Sequence, residues 1–149
     1  MKKLTWKIKT FNDLSAFELH QILKARIDVF VVEQNCPYPE VDGDDPQAIH
    51  LWAEDRDEVV AYCRIFEPGI KYAEASIGRV LTHQNYRKMN LGKTLMNFAI
   101  NIINARFTGS SIRISAQDYL LPFYTNLGFI ATGKSYLEDS IPHSEMLRS

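Results

Sequence analysis

The 149-residue chain predicts an α/β (α+β) fold, a single domain with a mixed, twisted central sheet of about six to seven strands flanked by helices on both faces. Three observations lead there. Hydrophobic periodicity runs β–α–β–β–β–α–β–α–β–β, so three central strands are followed by a strand–helix–strand unit whose crossover suits parallel pairing. The length is that of one ordinary domain, enough to bury a core without disulfide or metal staples. No repeat, linker or low-complexity stretch divides residues 1–149, and 46% apolar with 23% charged residues is the balance of a globular protein.

Each element has its own signal. Leu4 to Lys9 alternates apolar and polar residues, a short half-buried strand. Ser15 and Glu18 form an S-x-x-E capping box, with Leu14 and Leu19 placed as a hydrophobic staple. The helix they open carries Leu19, Ile22, Leu23, Ile27 and Phe30 on one face to about Val32. Residues 33–47, EQNCPYPEVDGDDPQ, hold three prolines, one glycine and five acidic residues, and no regular element is expected there. Long loops in compact domains are usually functional. Ala48 to Asp55 and Val59 to Glu67 read as a hairpin turning at Arg56-Asp57-Glu58. A strand at about Glu74 to Thr82 follows the Pro68-Gly69 turn. Next comes a helix with Leu91, Leu95, Phe98, Ala99, Ile102 and Ile103 on one face, then a strand at Ser111 to Ala116. A short helix, Leu120 to Leu127, ends at Gly128, a C-terminal capping residue. Strands at Phe129 to Ser135 and His143 to Leu147 flank the turn-like LEDSIP.

Charge and cysteine content exclude several classes. Seventeen basic and eighteen acidic residues leave a net charge of −1, so no nucleic-acid or membrane partner is expected. The start MKKLTWKIKT lacks the apolar run of a signal peptide, and no stretch approaches the roughly 18 apolar residues of a membrane span. The expectation is a cytoplasmic protein. Cys36 and Cys63 fit no CxxC or zinc spacing, so they are expected to be reduced, and no metal is expected.

The most informative stretch is YRKMNLGKTLM, Tyr86 to Met96, where a loop runs into a helix. Helix N-termini present free N–H groups and a positive dipole end. Here a strand delivers the chain to such a terminus, and Arg87, Lys88, Gly92 and Lys93 add cations and room for close approach. These features suit a pyrophosphate. No G-x-G-x-x-G follows a strand, and no G-x-x-x-x-G-K-[ST] P-loop competes for that role.

Strand, then HQNYRKMNLGKTLM, resembles the acetyl-CoA loop of the GNAT N-acetyltransferase superfamily, R/Q-x-x-G-x-G/A. It reads Arg87-Lys-Met-Asn90-Leu-Gly92, with Asn90 in place of the middle glycine; asparagine tolerates unusual backbone angles and caps helices. About thirty residues on, YLLPFYTNLGF (Tyr119 to Phe129) resembles the superfamily's F-Y-x-x-x-G-F segment. RIDVFVVEQNCPYPEVDGDD and YLEDSIPHSEML resemble the ElaA-like branch, so the likeness spans essentially the whole chain. It implies a GNAT domain that moves an acetyl group from acetyl-CoA, without a metal, to a primary amine by direct attack in a ternary complex. Acetyl-CoA would lie in a V between the strands at Glu74–Thr82 and Ser111–Ala116. Its pantetheine would pair with the backbone of Val80, Leu81 and Thr82. Its pyrophosphate would sit on the amides of Arg87, Lys88, Met89, Asn90, Leu91, Gly92 and Lys93. The acceptor is a small-molecule or protein amine, and a homodimer is left open.

Acyl transfer to an amine needs a base, an oxyanion stabiliser and a proton for the departing thiolate. The resemblance places Tyr124 as that proton donor; otherwise it is an inner-face aromatic. Glu33 follows four apolar residues, and partial burial would raise its pKa into the range of a base. His143, with Glu138 beside it in the terminal hairpin, is the other base candidate. His50 reads as structural, and His83 as a surface residue beside the cofactor. Glu40, Asp42, Asp44 and Asp45 either confer solubility or together attract a cationic amine such as a polyamine, an amino sugar or a lysine side chain. The competing reading is a non-catalytic acyl-CoA-binding or interaction module, to which the Asn90 substitution points.

Overall fold

The computed structural model describes residues 3–149; Met1 and Lys2, at the basic start, lie outside the described residues. Strands β1 (Thr5–Thr10), β2 (Ile49–Asp55), β3 (Glu58–Phe66) and β4 (Ser76–Thr82) form one antiparallel sheet in that order. Strands β5 (Ile112–Gln117), β7 (Ile141–Arg148) and β6 (Ile130–Glu138) form a second, with β7 in the middle. The two sheets meet at a single parallel bridge, Ala75 to Ile112, where the Arg113 N–H donates to the Ala75 carbonyl at 2.9 Å. Beyond it β4 and β5 share no ladder, and a cavity opens between them. The expected parallel pairing is thus reduced to the root of a V.

Helices cover both faces. α1 (Ala16–Arg26) starts at the predicted capping box: the Glu18 N–H donates to Ser15 Oγ at 3.0 Å and the Ser15 N–H to Glu18 Oε1 at 2.9 Å. It runs into a π-helical turn, Ile27–Glu33. The wider turn shifts the helical phase, so the buried face is Ile22, Arg26, Val29 and Phe30, whereas Ile27 and Val32 are exposed. That departs from the apolar stripe read at regular spacing. These residues pack on Trp52, Val59, Tyr62 and Leu81 of the sheet.

α2 (Leu91–Arg106) covers the opposite face with Leu95, Met96, Ala99, Ile100 and Ile103. Phe98, expected in the core, is 42% exposed and meets Trp6 edge-on at 4.8 Å. α3 (Leu121–Thr125) is shorter than predicted and is preceded by a 3-10 turn. Both hairpins close on two residues, Arg56-Asp57 and Asp139-Ser140, each with positive φ, the type I′ geometry that matches strand twist.

Candidate active site

The cavity between β4 and β5 is about 700 Å³, large enough for a cofactor arm and a small acceptor. Its lining includes the start of α2, at Asn90, Gly92 and Lys93. Asn90 adopts the left-handed conformation, φ 55° and ψ 25°, which explains how asparagine replaces the expected glycine: its short polar side chain tolerates that geometry. The amides of the first helical turn have no acceptor within the helix, and the first helical bond from this turn runs from Thr94 N–H to the Asn90 carbonyl. A Cβ added at Gly92 would meet the Phe123 ring at 3.5 Å and Thr82 Cγ2 at 3.7 Å. The protein itself therefore has room for a side chain there, and any need for glycine comes from a ligand.

Of the predicted donor residues, Val80, Leu81, Thr82, Arg87, Asn90, Gly92 and Lys93 line this cavity. Lys88 and Met89 are exposed outside it, and the Leu91 side chain is buried in the core, leaving its amide as the group available to a ligand. Arg87 folds back across the strand end. Its Nε and Nη2 donate to the Thr82 carbonyl at 3.1 and 3.0 Å, and its Nη1 and Nη2 to both Glu33 oxygens at 2.6 and 2.9 Å. Glu33 lines the cavity, but it is exposed and ion-paired. The burial expected from the preceding apolar run is absent because the π-helical turn delivers Glu33 beyond the covered face.

Tyr124, on α3, lines the cavity and is 6% exposed. Phe123 and Phe129 meet its ring edge-on at 5.1 and 5.9 Å. Its hydroxyl makes no hydrogen bond among the described residues. Burial pushes the phenol well above its ordinary pKa, so it carries its proton throughout the neutral range.

β7 places His143, 6% exposed, on the cavity wall. Its Nδ1 is 2.8 Å from the Ile141 carbonyl, which only accepts, so Nδ1 holds a proton and Nε2, 3.3 Å from Glu138, is the nitrogen open to exchange. Tyr136 stacks on the imidazole with its ring 6.2 Å away, and the Tyr136 hydroxyl bonds Ser115 Oγ of β5. Across the cavity the Gln34 and Gln117 side-chain amides pair at 3.3 Å.

The acidic loop differs from its expectation. Its carboxylates are bound internally: Glu40 by Arg26 at 2.6 Å and Arg79 at 2.8 Å, Asp45 by Arg26 at 2.7 Å and Arg64 at 3.0 Å. Asp42 takes Arg64 at 2.6 Å and Asp44 takes Lys71 at 2.7 Å. Arg64 outweighs burial and holds the Asp42 carboxyl well below the usual carboxylate range. The four acids face four cations, which removes the excess charge that was to attract an amine. Composition missed this network, although one signal exists: Arg26 stands four residues from both Ile22 and Phe30, inside an apolar stripe. His50 is structural as expected, with Nδ1 2.7 Å from the Tyr62 hydroxyl and Nε2 3.0 Å from the Asp45 carbonyl. His83 is a surface residue whose ring accepts the Asn85 N–H at 3.1 Å. Among the described residues no cluster of metal-ligating side chains occurs, and no helix is long and apolar enough to cross a membrane.

Comparison with known proteins gives a consistent result. A family profile described as "Acetyltransferase (GNAT) domain" matches residues 18–149. Protein ElaA of Escherichia coli is 35% identical over 147 residues, which covers 97% of this chain and 96% of that protein. The crystal structure of an acyl-CoA N-acyltransferase from Pseudomonas aeruginosa superposes with a TM-score of 0.93 at 38% identity, covering 99% of this chain and 100% of that one. The crystal structure of Escherichia coli ElaA gives a TM-score of 0.92 at 34% identity, again over 99% and 100% of the two chains.

Proposed function

The chain belongs to the GNAT acetyltransferase family, in its ElaA-like branch, and from that premise we propose that it transfers an acetyl group from acetyl-CoA to a primary amine by direct attack in a ternary complex. The observation that carries this reading is the cavity between the diverging strands β4 and β5, whose lining brings together the α2 N-terminus, Tyr124 and His143. Pyrophosphate binds at the first-turn amides of α2, with Lys93 and a repositioned Arg87 as counter-charges. The pantetheine follows Val80 to Thr82, displacing Arg87 from the Thr82 carbonyl. Acetyl-CoA supplies the activated acyl group, and the remaining steps use this chain's own residues.

An alkyl amine, with a reference pKa of about 10, is mostly protonated near neutrality. His143 Nε2 takes that proton, its ring held by Ile141 and Tyr136. The amine nitrogen then bonds to the acetyl carbonyl carbon; as the carbon–sulfur bond breaks, the sulfur takes the Tyr124 hydroxyl proton, the nitrogen's surplus proton returns to the Tyr124 oxygen, and His143 releases its proton to solvent. Geometry favours His143 over Glu33 as base, because both Glu33 oxygens are held by Arg87 at 2.6 and 2.9 Å, whereas His143 Nε2 has only the longer 3.3 Å contact with the exposed Glu138 to exchange. Acceptors are small-molecule or protein amines. Asn90 gives no support to the non-catalytic reading, since it adopts the left-handed geometry open to glycine. Thiol release from acetyl-CoA over a panel of amines and lysine peptides tests the proposal. Turnover with any of them supports it, and donor binding without turnover on all of them supports a binding module.

A further inference from the structure

β4 does not run straight along β3. Between the pairs Tyr62–Leu81 and Arg64–Gly78, the single β3 residue Cys63 faces two β4 residues, Arg79 and Val80. This is a β-bulge, which bends the strand and interrupts its ladder. The extra turn is carried by Arg79 at φ +50°, a left-handed conformation in which Cβ crowds the following carbonyl and which arginine rarely adopts. The strand segment just beyond it, Val80 to Thr82, lines the cavity.

The Arg79 side chain is fastened on three sides. Its Nε donates to Glu40 Oε2 at 2.8 Å and its Nη2 to Asp42 Oδ2 at 3.2 Å, and the guanidinium lies 5.7 Å from the centre of the Tyr38 ring. Glu40 is itself immobilised: its side chain is fully buried, accepts from Arg26 Nε at 2.6 Å, and accepts the Tyr38 hydroxyl. A strained backbone persists only where its surroundings over-determine it, and here the surroundings are a loop distant in sequence.

We infer that Arg79 is a positioning residue whose ion pairs with Glu40 and Asp42 hold the left-handed bulge, and with it the course of Val80 to Thr82 along the donor side of the cavity. The inference rests on the reading that this segment's backbone carries the donor. It assigns a purpose to residues 38–42, which belong neither to the donor loop nor to the reacting groups. They brace the strand from a position on the cavity wall itself, which Tyr38, Asp42 and Arg79 also line, so loop folding and donor binding are coupled.

Comparing Arg79→Gly with Arg79→Ala separates this role from direct ligand contact by the guanidinium. Both variants remove the charge, and Glu40 keeps Arg26 and Tyr38 in each. Only glycine takes the left-handed angle without a Cβ penalty. Acetyl-CoA affinity, measured by calorimetry on proteins verified as folded by thermal melting, is expected to fall about tenfold in Arg79→Ala. In Arg79→Gly it is expected to stay within about threefold of wild type. Equal losses in the two variants overturn the inference in favour of a ligand contact, and no loss in either overturns it by making the brace dispensable. Failure of the wild-type protein to bind acetyl-CoA instead sinks the reading on which the inference rests.

Discussion

Replacing Tyr124 by Phe removes one oxygen from the centre of the proposed site. The ring keeps its edge contacts with Phe123 and Phe129 at 5.1 and 5.9 Å, so packing is unchanged. The hydroxyl has no partner among the described residues, and no internal hydrogen bond is lost. The stability change is therefore expected to be small, within about 1 kcal/mol of wild type. Turnover is a different matter. Loss of one general acid typically lowers the rate by roughly 10²–10⁴-fold, or about 3–5 kcal/mol of transition-state stabilisation. Donor affinity is expected to hold, since binding rests on backbone amides. The assay is single-turnover thiol release, with chemistry shown to be rate-limiting, alongside a thermal melt. A rate within a factor of a few of wild type refutes the role of Tyr124. A large fall in melting temperature refutes the structural premise that its hydroxyl is unpartnered.

Other consequences follow from the same geometry. With a real acceptor, His143→Ala should lower kcat/KM by roughly 10²–10⁴-fold, the contribution typical of one general base, while Glu33→Gln stays within a few-fold of wild type; the opposite pattern transfers the role of base to Glu33. Because burial holds the Tyr124 phenol above its ordinary value, no alkaline loss of activity from its ionisation is expected up to about pH 10. Stability should fall on acidification in two stages. Burial depresses the His50 pKa, so the unfolded chain binds that proton first and stability declines as pH drops below about 6.5. Burial alone would raise the Glu18 pKa, but the Ser15 amide, Lys9 and Lys7 hold it down to about 2. Its contribution is complete above the unfolded value and is lost as pH falls from about 4.5 toward 2. Thermal melts from pH 8 to 3 of wild type, His50→Gln and Glu18→Gln check this, and a flat profile in wild type contradicts it.

What was legible in the sequence was local. The capping box at Ser15 and Glu18, the strand order and the loop that ends at α2 all depend on near neighbours, and all appear where residue spacing put them. The Asn90 angle follows from the residue's own chemistry. The misses are places where tertiary structure changed a local rule. A π-helical turn after Arg26 shifted the phase of the first helix and carried Glu33 to the surface. Four acids that looked like a solvent-facing patch are held by Arg26, Arg64, Arg79 and Lys71, which come from other elements. Periodicity cannot show which distant cation meets which anion. Nor does it reveal the bulge at Arg79, since arginine carries no signal for a left-handed angle.

The central claim is that the start of α2 holds the donor's pyrophosphate, and Gly92→Glu tests it most directly. A Cβ at this position makes only ordinary van der Waals contact with Phe123 and Thr82, so the fold should survive, while a carboxylate is placed where the phosphates must approach. Titration calorimetry of acetyl-CoA into the folded variant is predicted to show affinity lowered by at least about tenfold, the equivalent of one mutually repelling charge pair of about 1.4 kcal/mol. Affinity equal to that of the wild-type protein would contradict the placement of the donor at this helix.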